Sequence, residues 1–212
     1  MLGYCLQKKV YVLLMGDLLE SATKTSVKAG WAEQEFVLQK QYEDMARFLT
    51  PLAQEKLIVG FLRGNHEYRI WETSGLDITH LMCNELEVPY LGDACWNLFR
   101  VGKQRYSVYA LHGRTAAQRD GTALTAIENI ASSFHADVIA CGHAHKCTHG
   151  IKIVQFVDPW YRIIREMRKI VVITGSYLSY GGYWQQKGGN ISKVGSPKIK
   201  FFSKVHQVHI SW

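Results

Sequence analysis

Asp17, Asn65, His66, Glu67, His112, His143 and His145 fall in four short segments: Gly16-Asp17, Gly64-Asn65-His66-Glu67, His112-Gly113 and Gly142-His143-Ala144-His145. Each segment comes just after an apolar run. Asp17, Asn65, His112, His143 and His145 offer carboxylate oxygen, amide oxygen and imidazole nitrogen with no thiolate. That donor set suits Mn²⁺, Fe²⁺ or Zn²⁺ better than it suits a closed structural zinc site. Asp17 has two oxygens and can bridge ions roughly 3.5 to 4 Å apart, a pair that lowers the pKa of a shared water, orients a phosphate ester and stabilises both attacking and departing oxygens. His66, beside Asn65, is placed to protonate a leaving alkoxide or to hydrogen-bond a phosphoryl oxygen. Glu67 either orients His66 or makes an outer contact that fixes a ligand. Taken singly, Gly-Asp is a common turn and His112 an ordinary strand-end histidine. Four such segments in one order at four strand ends make metal binding the expectation.

The elements that must carry these residues are short strands. Residues 10–15, 57–62, 106–111 and 137–141 have the length and the β-branched or aromatic content of buried strands. The glycines mark where each breaks into a turn, because glycine takes φ > 0 and lets the backbone approach an ion. Ligand sites in open α/β sheets gather at that carboxyl edge. Between the first two runs, Trp31, Phe36, Leu38, Tyr42, Met45, Phe48, Leu49 and Leu52 recur at helical spacing, predicting a helix over 31–52. Strand, helix and strand within about 50 residues make a crossover unit with a parallel pair. A second helix is expected over 74–86, a hairpin around Gly102-Lys103 and a helix over 122–134. From Ile151 onward the pattern turns to strands, with turns at Asp158-Pro159, Gly181-Gly182, Gly188-Gly189 and Gly195-Ser196-Pro197. Neither a repeat nor a boundary stands out, so residues 1–212 read as one domain, a layered sandwich in which two sheets face each other.

At 212 residues a single domain buries roughly 70% of its unfolded surface. With 47% apolar and 20% charged residues, and no stretch near the roughly 20 apolar residues of a membrane span, the chain reads as soluble with no membrane partner. Lys8 and Lys9 precede only a short apolar run, which lacks the core of a secretory signal, so a cytoplasmic location is expected. Cys5, Cys83, Cys95, Cys141 and Cys147 are odd in number and form no CxxC pair, which argues for reduced packing cysteines. Net charge is +7, concentrated late at Arg162, Arg165, Arg168, Lys169, Lys187, Lys193, Lys198, Lys200 and Lys204. With Tyr177, Tyr180, Tyr183 and Trp184, these cations could hold nucleic acid by phosphate neutralisation and base stacking. The alternative is a solvated rim on β-hairpins with core aromatics. His80, His135, His149, His206 and His209 lie outside the motifs and read as surface or packing residues.

The series Gly16-Asp17, Gly64-Asn65-His66-Glu67, His112-Gly113, Gly142-His143-Ala144-His145 resembles the signature of calcineurin-like metallophosphoesterases over roughly residues 10–146, and Thr174-Gly175-Ser176 resembles the strand-end segment that follows the core in many members. The resemblance implies an α/β fold, a four-layer α/β/β/α sandwich of two mixed sheets, and hydrolysis of phosphomonoesters or phosphodiesters at a dinuclear centre. By position it makes Asp17 the bridging ligand, with Asn65, His112 and His143 completing one site, His145 serving the other and His66 acting as acid. Family members open with an Asp-x-His on a strand ahead of Gly-Asp. Residues 1–16 contain no Asp, Glu or His, so the expectation is a chain lacking that first strand, with one metal retained at Asp17, Asn65, His112 and His143. The second metal site would keep only Asp17 and His145. Two functions follow: a metal-dependent phosphoesterase whose substrates include nucleic acid, or a catalytically weak metal-binding module that holds nucleic acid through its basic C-terminal half. Arg114 and Lys146, each next to a motif, are either phosphate contacts or exposed loop cations.

Overall fold

Each of the four apolar runs ahead of a motif is a strand: Val12–Leu14, Ile58–Phe61, Gln104–Leu111 and Val138–Cys141. The computed structural model describes residues 2–23, 37–113, 120–177 and 194–212. Among these, one compact unit ends at Ala94 and a second begins at Cys95.

The first unit runs α1 (Leu2–Lys8), β1 (Val12–Leu14), α2 (Leu38–Gln54), β2 (Ile58–Phe61), α3 (Asn65–Ser74) and α4 (Ile78–Glu85). β1 and β2 pair in parallel with α2 between them in sequence, the crossover that the apolar spacing predicts. α2 buries Ala46, Leu49 and Leu52, and they pack with Leu14, Phe61, Ile70 and Met82 in one core. Its expected first turns, with Trp31 and Phe36, lie outside the described residues. The helix expected over 74–86 begins only at Ile78. Gly75 ends α3 in the left-handed conformation, φ 72°, with its N–H on the Trp71 carbonyl, and Asp77 then caps α4 by accepting the His80 N–H at 3.0 Å. The turn expected at Gly64 opens directly into α3, whose first residues are Asn65, His66 and Glu67.

The second unit runs β3 (Ala94–Val101), β4 (Gln104–Leu111), α5 (Asp120–Ser132), β5 (Val138–Cys141), β6 (Cys147–Asp158), β7 (Ile163–Thr174), β8 (Lys198–Phe201) and β9 (Val208–Ser211). β3 to β7 form a five-stranded sheet in the order β3-β4-β5-β7-β6, in which β4, β5 and β7 are parallel and β6 is antiparallel to β7. The chain is thus a mixed α/β protein. Buried on every residue, β5 reads as the continuous apolar run of an interior parallel strand. α5 lays Ala123, Ile127 and Ala131 against Ile139, Val171 and Ile173. The hairpin at Gly102-Lys103 forms with Gly102 at φ 61°. β6 starts at Cys147, four residues before the expected change of pattern, and Asp158-Pro159 opens the turn into β7. Gly181-Gly182 and Gly188-Gly189 lie outside the described residues.

β7 pairs with β5 only from Ile170 to Ile173, so Lys152 to Asp158 and Ile163 to Lys169 form a two-stranded ribbon. At roughly 3.3 Å per residue it extends about 23 Å past that pairing. Its turn exposes Trp160 at 86% and its strands expose Val157 at 68% and Ile164 at 69%. One cation of the late basic series is not on the surface at all. Lys169 is buried, and its ammonium donates to the Ala131 and Phe134 carbonyls at 3.2 and 2.6 Å, satisfying the C-terminal end of α5. Neither a phosphate contact nor a solvated rim describes it, and burial pushes its pKa down. All five cysteines are free thiols, with Cys5, Cys83 and Cys141 buried. His80 stacks on Tyr90 and His206 on Tyr106, as packing histidines should. Among the described residues no helix is long and apolar enough to cross a membrane.

Candidate functional site

In the first unit, β1 and β2 are parallel, so Asp17 and Asn65 leave the same edge of that pair. The loop after β1 is held by Glu67, in the first turn of α3. The buried Glu67 carboxylate accepts the N–H groups of Asp17 at 3.0 Å, Leu18 at 2.6 Å and Leu19 at 3.0 Å, together with that of Gly64 at 3.1 Å. Burial, followed by the charge of Asp17, pushes the Glu67 carboxyl up, and the amides pull against that rise. Asp17 in turn accepts the His66 N–H through Oδ1 at 2.9 Å, which places its negative charge at the N-terminus of α3, where the helix dipole favours it. Gly64 is required by space alone. Its φ is −90°, and a Cβ there would run into the backbone nitrogen and Oδ1 of Asp17 and Oε2 of Glu67.

The His66 ring lies between two carboxylates, with Nδ1 at 3.4 Å from Glu20 Oε2 and Nε2 at 3.8 Å from Asp17 Oδ2. Burial works against its imidazolium, and the Glu20 hydrogen bond with the Asp17 charge overrides burial, so the His66 pKa is raised. The same bond lowers the Glu20 pKa. Glu20 was missed in the sequence, although a carboxylate three residues after Asp17 in the same loop is a usable signal. It, rather than Glu67, makes the contact that orients His66. Glu67 makes the outer contact instead, on the backbone of the Asp17 loop.

In the second unit, β4 and β5 are parallel with Leu111 opposite Cys141, so His112 and His143 follow adjacent strand ends. Their ring centroids lie 5.3 Å apart at 74°, and His145 lies 6.5 Å from His143. His112 is buried. Gly113, at φ 87°, has no room for a Cβ against Cys141 Sγ. Burial pushes the Cys141 thiol up to about 12, so it stays protonated beside these imidazoles and adds no thiolate. Lys146 is buried, which excludes an exposed loop cation. Arg114 lies outside the described residues.

Eight described non-glycine residues have left-handed backbone, and three of them are expected ligands. Asp17, His143 and His145 have φ of 54°, 59° and 53°. Of the four motif glycines, only Gly16 and Gly113 share that conformation, so the turn after β2 is made by spacing at Gly64 and the turn after β5 by the histidines themselves. Side chains able to ligate a divalent ion therefore stand at four strand ends. No family model matches this chain, and no curated protein matches it.

Proposed function

We propose that this chain is a metal-dependent phosphoesterase of the calcineurin-like kind, arranged as a four-layer α/β/β/α sandwich. Asp17, Asn65, His112 and His143 are the ligands of one divalent ion, and Asp17 with His145 are those left for a second. The donor chemistry fits: carboxylate, amide and imidazole groups with the neighbouring thiol protonated suit Mn²⁺, Fe²⁺ or Zn²⁺. Bound there, such ions supply a water of lowered pKa and positive charge for the phosphoryl oxygens.

The observation that carries the reading is that carboxylate, amide and imidazole donors, at Asp17, Asn65, His112 and His143, each follow within a few residues the end of one of four strands, Val12–Leu14, Ile58–Phe61, Gln104–Leu111 and Val138–Cys141. The chain's own residues do the rest. As the phosphorus–ester oxygen bond breaks, His66 gives its ring proton to the departing oxygen. Glu20 holds that ring by Nδ1 and favours its protonated form. Glu67 keeps the Asp17 loop fixed while charge develops nearby.

The test is hydrolysis of a chromogenic phosphate diester by the full chain loaded with Mn²⁺, with metal per chain measured by elemental analysis on the same sample. Metal-dependent turnover that His143→Ala abolishes is the expected result. Bound metal without turnover above that of the His143→Ala chain overturns the enzymatic reading.

A further inference from the structure

The ribbon of β6 and β7 has one covered face and one bare face. Strand alternation sets Lys152, Val154 and Phe156 on one side with Met167 and Lys169. That side meets the end of α5 and the residues just after it. The Lys169 ammonium donates to the Ala131 and Phe134 carbonyls, the Lys152 ammonium donates to the Glu128 carbonyl at 3.4 Å, and the Phe156 ring lies 6.3 Å from His135. The opposite side carries the cross-strand pairs Ile153↔Arg168, Gln155↔Glu166 and Val157↔Ile164, with Ile151 at its base. All seven of these residues are exposed.

The bare face is self-complementary. Its two charges, Glu166 and Arg168, stand on either side of Met167, and its apolar residues fall at both ends, Ile151 and Ile153 at the base and Val157 and Ile164 toward the tip. Gln155 ties Glu166 to this face by donating to its carboxylate at 2.8 Å. The tip is ordered by its own bonds, since Asp158 accepts the Trp160 and Tyr161 N–H groups at 3.1 Å and the Arg165 guanidinium at 2.6 Å. A half-turn about an axis crossing the ribbon at the Val154↔Met167 pair lays one such face on another with the strands reversed. Arg168 of each copy then faces Glu166 of the other, Ile151 faces Val157, and Ile153 lies on the apolar stem of Gln155.

We propose that this face binds the same face of a second copy of the chain. Its charges cancel within each copy and pair between copies, so the contact escapes the repulsion that a net charge of +7 brings to other surfaces and gains a fixed register. Burying two bare faces with their Trp160 tips removes on the order of 1,200 Å², at the border between transient and stable interfaces. The dimer therefore forms in the micromolar range. A lipid surface fits the face poorly, because Glu166 at its middle would have to leave water without a partner. The proposal does not rest on the phosphoesterase reading, and its test makes no use of catalysis.

The experiment is analytical ultracentrifugation of the full chain from about 1 to about 300 µM, a range in which mass action carries a micromolar dimer from dissociated to formed. Arg168→Glu and Glu166→Arg are measured singly and as an equimolar mixture. The expected result is a monomer at the lowest concentration and a dimer at the highest, with association at least tenfold weaker in each variant alone. Mixing the two variants restores association, because every facing charge is then opposite, and that rescue shows that both variants are folded. Hydrogen exchange over 153–168 is fast in the dilute chain and slows as the dimer forms. A chain that stays monomeric throughout overturns the proposal, whether or not phosphatidylserine vesicles retain it. A dimer that neither variant weakens, or variants that mixing does not rescue, overturn it as well.

Discussion

The Glu67 carboxylate accepts the backbone N–H of Asp17 at 3.0 Å across 50 positions of sequence, and so ties the left-handed Asp17 to the first turn of α3. One oxygen of that carboxylate serves Leu18 and Leu19 and the other serves Asp17 and Gly64. Glu67→Ala leaves four amides without their acceptor. Since an unsatisfied buried donor costs about 1 to 3 kcal/mol, and water will reach some of the four, we expect a loss of about 3 kcal/mol or more in urea unfolding. Gly64→Ala, which drives a Cβ into the same cluster, is expected to cost about 1 to 3 kcal/mol as an overpacked site. Full stability in both variants would show that the cluster does not hold the loop.

The proposed acid role of His66, with Glu20 holding its ring, predicts a dependence on the leaving group. Removing a general acid slows esters with poor leaving groups by about 10² to 10⁴, while esters whose alcohols leave unaided lose little. His66→Ala should follow that pattern in kcat with Mn²⁺ present. Glu20→Gln should follow it in the same direction and to a smaller extent, because it weakens the hold on Nδ1 without removing the ring. Equal losses on good and poor leaving groups would assign His66 to substrate binding instead.

Lys169 predicts a pH dependence of stability. Burial lowers its folded pKa below the ordinary 10.5. Between the lowered value and 10.5 the unfolded chain therefore binds more protons than the folded chain, and stability rises with pH across that window. Below the lowered value both states are protonated, and the folded state carries the full cost of the buried charge. Lys169→Met should flatten that rise when urea midpoints of the two chains are compared from pH 8 to 10.5. A parallel pair of curves would mean that the ammonium is hydrated.

The ribbon of β6 and β7 should open locally without the rest of the sheet. A two-stranded ribbon is marginal in water, and its seven cross-strand pairs from Lys152↔Lys169 to Asp158↔Ile163 lie past the last pairing with β5. Amide hydrogen exchange should be fast over 153–168 and slow at Val138 to Cys141 and Val171 to Ile173, where every residue is buried. Equal protection in ribbon and sheet would place a covering partner on the ribbon.

Much of the strand framework was legible because its cues are local. Apolar runs of strand length with a glycine one or two residues beyond located β1, β2, β4 and β5, and the spacing of Leu38, Met45, Leu49 and Leu52 marked α2. The break between α3 and α4 was equally local, a Gly75 and an Asp77 two residues apart, and the helical period across it hid the signal. The four motifs after those runs also named the residues able to ligate metal, since their donor atoms follow from residue type.

What tertiary structure alone decided are relationships between groups distant in sequence. Whether Glu67 turns toward His66 or toward the Asp17 loop depends on how α3 meets the end of β1, and no spacing rule records that meeting. The burial of Lys169 and Lys146 depends on which strands and loops cover them. Left-handed backbone at His143 and His145 is imposed by the surrounding fold, since histidine tolerates that conformation without requiring it. The sequence by itself determined which chemistry the side chains can do. The fold decided which of those side chains are held ready to do it, because positioning is a sum of long-range contacts that a local pattern does not encode.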